Sequence, residues 1–463
     1  MKLKKIIVSL GLAFILASSS ITAQAVKVVQ VPSDEIDGVY NQSVDSNAIE
    51  GWAVGPQIYS EAGIVMDANT GAILYAKNID DPHYPASITK VLTGLVAIEN
   101  SELTDTVTVK QEDVSFLKRG DNHIGLKVGE EITMEHALHG TLLASGNEVA
   151  HAVASSTEGG YDAFLVKMNE KVKELGGTNS NFANTHGLHD DNHYTTAHDM
   201  ALIGAAAIKN ETFRKITGTK LYTIPVTNIT DETRSFENHH KMLFDWRSQY
   251  YEYCIGGKTG YTDKALNTLV TFAEKDGVTL VAVVLRTHGS GNTYVDTRAM
   301  LDYAFGSFTK VPVTDEMVKV EGLEAVAADA YVSLPEGVTF EDLESTVTMP
   351  EKIGEMEGTI SYTYKDMPVG AVTFTITKAF HDDFHGIEEP KQDIIEPKEK
   401  TPVILIIVRI VLIIFLIGVL FFLFLLCYVS HKRRMRRKKR AEMRRKKRQQ
   451  EYQRLLKEME DEE

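Results

Sequence analysis

Three short runs in this chain could do covalent chemistry together. In Pro85-Ala86-Ser87-Ile88-Thr89-Lys90 the serine and the lysine are three positions apart. On a helix that spacing puts both side chains on one face, one above the other. A serine hydroxyl is a weak nucleophile until a base is held beside it, and a lysine kept from water can lose its proton and act as that base. Pro85 suits a helix start, which would place Ser87 near N–H dipoles able to stabilise an oxyanion. The second run, Ser145-Gly146-Asn147, falls between two helical patterns. The third, Lys258-Thr259-Gly260, runs on into Tyr261 and Thr262. Each is weak alone: S-x-x-K is common on surface helices, and Lys-Thr-Gly is most often a turn.

The elements that must hold these runs are legible in the hydrophobic pattern. Gly63 to Met66 and Ala72 to Tyr75 flank the turn residues Asp67-Ala68-Asn69-Thr70-Gly71, which predicts a hairpin. Val91, Leu92, Leu95, Val96 and Ile98 follow Pro85 at helical spacing, and further helical patterns fill 132–156, 161–175 and 196–208. Beyond Gly257 the period changes. Leu266 to Ala273 and Thr279 to Leu285 flank Asp276-Gly277, a two-residue hairpin signal, and Arg298 to Phe305 reads as a closing helix. Helices enclosed between antiparallel strands from the two ends predict an α/β domain over roughly 55–308. In 311–380 apolar residues alternate with polar ones, as in Ile360, Tyr362, Tyr364 and Val372, Phe374, Ile376, which predicts a small β-rich domain.

The two ends carry different signals. Lys2, Lys4 and Lys5, the apolar stretch Ile6–Ala17 and Ala23-Gln24-Ala25 predict a signal peptide over 1–25. Residues 381–402 are charged, with Pro390, Pro397 and Pro402, and read as a tether. A transmembrane helix is expected over 403–429, because Ile410 to Val429 carries no charge and would cover roughly 30 Å of bilayer. The tail 430–463 holds 15 basic and 7 acidic residues. Its position beside the span marks the cytoplasmic side and favours anionic lipid. The whole chain is at −15, so the part expected outside the cell is strongly acidic, which argues against nucleic acid as a partner. The two cysteines, Cys254 and Cys427, fall in different segments and predict no disulfide. Cys254, in the apolar run Tyr253-Cys254-Ile255, is expected to be a small buried hydrophobe.

Taken in order, S-x-x-K, S-x-N and K-T-G form a signature associated with penicillin-binding enzymes and class A β-lactamases. Ser145-Gly146-Asn147-Glu148-Val149-Ala150, the run from Phe164 to Leu175-Gly176, His186-Gly187-Leu188, His193-Tyr194-Thr195-Thr196-Ala197 and Lys258-Thr259-Gly260-Tyr261-Thr262 together resemble the low-molecular-mass D-Ala-D-Ala carboxypeptidases, peptidase family S11. The resemblance is close over 60–308 and looser over 311–380. It implies a serine β-lactamase/penicillin-binding transpeptidase-like fold, an antiparallel sheet with helices, and a substrate that is a peptidoglycan stem peptide ending in D-Ala-D-Ala. It also implies covalent binding of β-lactam antibiotics. The roles it implies are Ser87 as nucleophile, Lys90 as general base, Ser145 as proton relay and Asn147 as the group positioning Lys90 and the substrate amide. Lys258 would supply positive potential, Thr259 would bind the terminal carboxylate, and the N–H groups of Ser87 and Tyr261, beside Gly260, would form the oxyanion hole.

No cofactor and no metal are expected. His186, His189, His193 and His198 lack H-E-x-x-H spacing, and three fall in a segment the family matches without metal. Departures from the family are Asn238-His239-His240 where Asn-x-Asn is usual, Ala265-Leu266 where Ala-Gly is usual, and Thr293 where a basic residue is usual. With that charge gone, Arg286 is expected to reach in toward the substrate's carboxylate, and Arg298 to matter less. A DD-endopeptidase would use the same residues. A non-catalytic penicillin-binding membrane sensor would have no need of so complete a set. A β-lactamase is disfavoured because no E-x-x-L-N run lies between Asn147 and Lys258.

Overall fold

The computed structural model describes residues 33–289, 291–387 and 403–460. The expected signal peptide, and 388–402 of the expected tether, lie outside these.

The frame of residues 60–307 is a five-stranded antiparallel sheet, in spatial order Ile73–Lys77, Ser60–Asp67, Val278–Thr287, Leu266–Lys275 and Cys254–Thr262. The first two strands come from one end of the domain and the last three from the other. Alternation along a strand sends successive side chains to opposite faces. Val281, Val283 and Leu285 face one core, shared with the helices of 90–218, while Leu280, Ala282 and Val284 face a second. Both faces are covered, which is why Val278–Thr287 reads as a nearly continuous apolar run. Helix Asn292–Ser307 closes the second face through Tyr294, Met300, Leu301 and Ala304. It begins six residues earlier than its apolar pattern suggests.

Both hairpins expected from turn residues form. Asp276 and Gly277 have φ of 50° and 75°, the two positive values that a tight two-residue turn matched to strand twist requires. In the other, the buried Asp67 carboxylate accepts the N–H groups of Asn69 and Thr70. The same carboxylate accepts the hydroxyls of Tyr331 and Ser333, so one side chain folds a turn and fastens the β-rich region to it.

That β-rich region has a four-stranded antiparallel sheet, in order Leu323–Val326, Met367–Ile376, Glu357–Tyr364 and Glu344–Thr348, and a pair formed by Phe308–Pro312 and Tyr331–Pro335. Ile360, Tyr362, Val372, Phe374 and Ile376 point into its core. The residues expected to begin the tether do not: His381 is buried in helix Lys378–Phe384, where its Nε2 accepts the Gly354 N–H at 3.0 Å. A charged composition concealed that short helix, because only His381 and Phe380 anchor it.

Gly386 onward forms a separate unit, whose described part is one helix, Val403–Glu460. It is long and apolar enough to cross a membrane. The basic tail continues the same helix.

Candidate active site

The Ser87–Lys90 run folds as two kinds of helix. Ala86–Thr89 is a 3-10 turn, and the α-helix opens at Lys90 and runs to Asn100. A continuous α-helix was expected. The tighter turn brings residues three apart into eclipse, and Lys90 Nζ lies 3.1 Å from Ser87 Oγ. Ala86, just before the serine, has a φ of +53°, a left-handed conformation that costs energy for a residue with a Cβ. The turn is braced from outside. Thr268 donates to the Pro85 carbonyl at 2.8 Å, and Thr89 Oγ1 lies 2.8 Å from His193 Nε2.

Lys90 is fully buried. Its Nζ is 2.8 Å from Asn147 Oδ1 and 2.5 Å from the His186 carbonyl oxygen. A neutral amine has two N–H bonds and one lone pair, and two of its three neighbours here can only accept. The lone pair is thereby left for the Ser87 hydroxyl proton. Burial, reinforced by the positive Lys258 nearby, holds Lys90 well below the ordinary lysine range. The geometry and the charge are those a base needs.

Ser145 and Lys258 form a second pair, with Lys258 Nζ donating to Ser145 Oγ at 2.9 Å and to the Thr259 carbonyl at 2.7 Å. Burial pushes Lys258 down to about 7. Ser145 is itself in the left-handed region, φ +61°. The middle residue of this motif is glycine because a Cβ on Gly146 would fall 2.7 Å from Val149 Cγ1. Asn147 opens helix Asn147–Ser156.

Strand Cys254–Thr262 carries the third run along the serine. A Cβ on Gly260 would lie 2.9 Å from the Ser87 nitrogen and 3.1 Å from that of Ile88. Glycine there lets the strand pass close to the Ser87 N–H. Tyr261 is exposed, and its hydroxyl donates to Asp263 at 3.1 Å. Ser87, Ser145, Asn147, Thr259, Gly260 and Tyr261 line one cleft of about 1020 Å³, while Lys90 and Lys258 lie beneath it.

Two contributors were not singled out from sequence. Gly187, φ +82°, brings its turn so close that a Cβ would sit 1.9 Å from the Ala86 carbonyl oxygen, and this contact is what delivers the His186 carbonyl to Lys90. Glu148 is buried, and its Oε1 accepts the N–H groups of Ile124, Gly125 and Leu126 at 2.6, 3.0 and 3.4 Å. It fixes the segment whose neighbouring residues, Lys118 to Asn122, form a rim of the cleft. The sequence signal for each was faint: a glycine after histidine, and a carboxylate directly after the second motif.

Arg286 does not reach this cleft. It faces Glu61 on the neighbouring strand, with Nε 2.7 Å from Glu61 Oε1, and Nη1 donates to the Lys264 carbonyl at 2.9 Å. Ser60 pairs with Thr287 and Ala62 with Leu285, so register alone sets Arg286 opposite that carboxylate. Together they line a different pocket, with His83 and Tyr194. Arg298 donates to the carbonyls of Gln249 and Tyr250 and lies over the Tyr251 ring. The four histidines have their own partners: His186 Nδ1 accepts the Leu188 N–H, His189 and His198 meet Asp191 and Asp80, and His193 meets Thr89. Cys254 opens the third-motif strand, and burial raises its thiol to about 12. Of the departures, Asn238 Oδ1 accepts the His240 N–H at 2.9 Å, and His240 Nε2 lies 2.8 Å from Thr271 Oγ1, so His240 is a buried bracing group behind the strand.

A family profile described as D-alanyl-D-alanine carboxypeptidase matches residues 50–289. The chain is 32% identical over 259 residues to D-alanyl-D-alanine carboxypeptidase DacF of Bacillus subtilis, covering 55% of this chain and 64% of that one, just under two thirds of the relative's length. It is 34% identical over 251 residues to DacB2 of Mycobacterium tuberculosis, covering 53% of this chain and 82% of the relative. Among solved structures, a D-alanyl-D-alanine carboxypeptidase from Mycobacterium tuberculosis superposes with a TM-score of 0.50 at 32% identity, covering 55% of this chain and 94% of that one. The Streptomyces K15 DD-transpeptidase does so with 0.51 at 29%, covering 55% and 99%. The profile match, the order of the three motifs within it and the shared fold place this chain in the D-alanyl-D-alanine carboxypeptidase family, peptidase family S11.

Proposed function

We propose that this protein is a serine-type D-Ala-D-Ala carboxypeptidase that removes the terminal D-alanine from peptidoglycan stem pentapeptides. The observation that carries the reading is the three-way environment of Lys90, whose amine is held between two fixed acceptors and the Ser87 hydroxyl. Ser87 Oγ attacks the carbonyl between the two D-alanines while its proton passes to Lys90. The oxyanion is held by the N–H groups of Ser87 and Tyr261. Collapse breaks the amide bond as Ser145, beside Lys258, relays the proton held by Lys90 to the departing amine, which returns Lys90 to its neutral form. This leaves an ester on Ser87, and water, deprotonated through Lys90, hydrolyses it to the shortened peptide. A β-lactam would form the same ester and leave slowly.

In this reading 55–308 is the catalytic domain and 311–380 the accessory β-rich domain. The helix from 403 anchors the enzyme as a single pass, with the catalytic domain on the outer face of the membrane. The basic residues Lys432–Arg448 would then lie against anionic lipid on the cytoplasmic side.

The test is release of D-alanine from a pentapeptide ending in D-Ala-D-Ala by the full-length protein in detergent. Stoichiometric release, lost in Ser87→Ala, is expected. Cleavage confined to cross-linked dimeric peptides would identify an endopeptidase, and no cleavage of either would refute the enzymatic reading.

A further inference from the structure

A carboxypeptidase has to recognise a terminal anion, and a positive group facing it is the strongest means of doing so. The position expected to supply the charge holds Thr293, and Arg286 is committed to Glu61 outside the cleft. Among the described residues, the cations of the cleft can be sorted by their partners. Lys258 lies beneath the floor, engaged with Ser145 and the Thr259 carbonyl. Arg247 is paired with Glu237 at 2.7 Å. Lys118 and Arg119 belong to the rim segment that the Asn122 carbonyl ties to the Asn147 N–H at 2.8 Å, and Lys264 sits at the end shared with the Arg286 pocket.

Lys241 remains. It opens the short turn Lys241–Leu243, is exposed and lines the cleft, and among the described residues it forms no ion pair with a carboxylate. Its position is tied to the start of helix Asn292–Ser307: the Lys241 N–H donates to the Tyr294 hydroxyl at 3.3 Å, and its ammonium lies 5.9 Å from the centre of the Tyr294 ring. Tyr294 directly follows Thr293. Lys241 therefore occupies the same wall of the cleft as the missing charge, brought there from a different element. On that side the Thr259 hydroxyl has no protein partner among the described residues and is open to a ligand.

We propose that Lys241 is the cation that recognises the substrate's terminal carboxylate, acting with the Thr259 hydroxyl, and so selects free C-terminal peptides over internal bonds. The inference rests on the carboxypeptidase reading above. The experiment compares two substrates of the full-length protein in detergent: an acyl-D-Ala-D-Ala peptide with a free carboxylate, and the matching acyl-D-Ala methyl ester. The two present the same reacting carbonyl, but the ester carries no anion. Loss of a charged hydrogen bond predicts that Lys241→Gln lowers the acid-to-ester ratio of kcat/KM about tenfold to a hundredfold, mainly through KM for the acid. Lys241→Arg should restore most of it, and Arg286→Gln should leave the ratio near that of the unaltered protein. A ratio unmoved by Lys241→Gln, or moved more by Arg286→Gln, would overturn the proposal for Lys241 while ester turnover still supported the enzymatic reading. Absence of turnover on both substrates by the unaltered protein would overturn both.

Discussion

At the reacting end of the cleft, Ser87, Lys90, Ser145, Asn147 and Lys258 come from separate stretches of chain and are locked by mutual contacts of 2.8–3.1 Å. At the end that would take the carboxylate, Thr259, Thr293, Tyr294 and Lys241 line an open wall whose lysine lies on an exposed turn. The contrast follows from what each end has to do. Proton transfer needs a lone pair and a hydroxyl within hydrogen-bond reach, which fixes residue types and spacing. Attraction of an anion needs only positive charge at moderate distance, and a lysine from any neighbouring element can supply that.

The contrast can be broken at the reacting end first. Replacing Lys90 by Met removes the base and leaves Asn147 Oδ1 and the His186 carbonyl without their donor. Acylation by penicillin should fall by roughly 10²–10⁴-fold, measured as the rate of covalent labelling. A residual rate within tenfold of the unaltered protein would show that another group takes the proton. In the unaltered protein the pH profile should have two limbs. Protonated Lys90 has no lone pair, so acylation rises with pH as this depressed lysine loses its proton. Lys258, pushed down to about 7, loses its charge as pH rises through that value, which lowers the rate on the alkaline side. A profile still climbing at pH 9–10 would contradict the lowered values.

A smaller effect is expected one layer out. Glu148→Ala strips three backbone N–H groups of their acceptor, each left unsatisfied at a cost of about 1–3 kcal/mol unless water enters. The rim 118–126 should loosen, seen as faster amide exchange there. Turnover should drop by about tenfold, with Lys90 and Ser87 still in place. Unchanged exchange would mean that the rim holds itself.

Much of this was readable in the sequence because it depends on local rules. The hairpin at Asp276-Gly277, the alternation in Met367–Ile376 and the ordered Ser87, Lys90, Ser145, Asn147, Lys258 set each follow from residue type at fixed spacing. What escaped depends on register between distant strands. Arg286 looked available from its place at a strand end, but Glu61 lies across from it, more than two hundred residues earlier in the chain. Gly187 owes its role to a carbonyl approached from another segment. The helix at Lys378–Phe384 was hidden because its burial is carried by one histidine and one phenylalanine, too few to show as an apolar stripe. Lys241 could not be chosen over its neighbours until the places and partners of the other cleft cations were known.

The central claim is that Ser87 is the nucleophile and Lys90 its base, and labelling with a fluorescent penicillin addresses it directly. The full-length protein should take up one label per chain, and peptide mapping should place it on Ser87. Ser87→Ala should take up none, while Ser145→Ala should still label, more slowly. Undiminished labelling of Ser87→Ala, or a label mapped to any other side chain, would contradict the account.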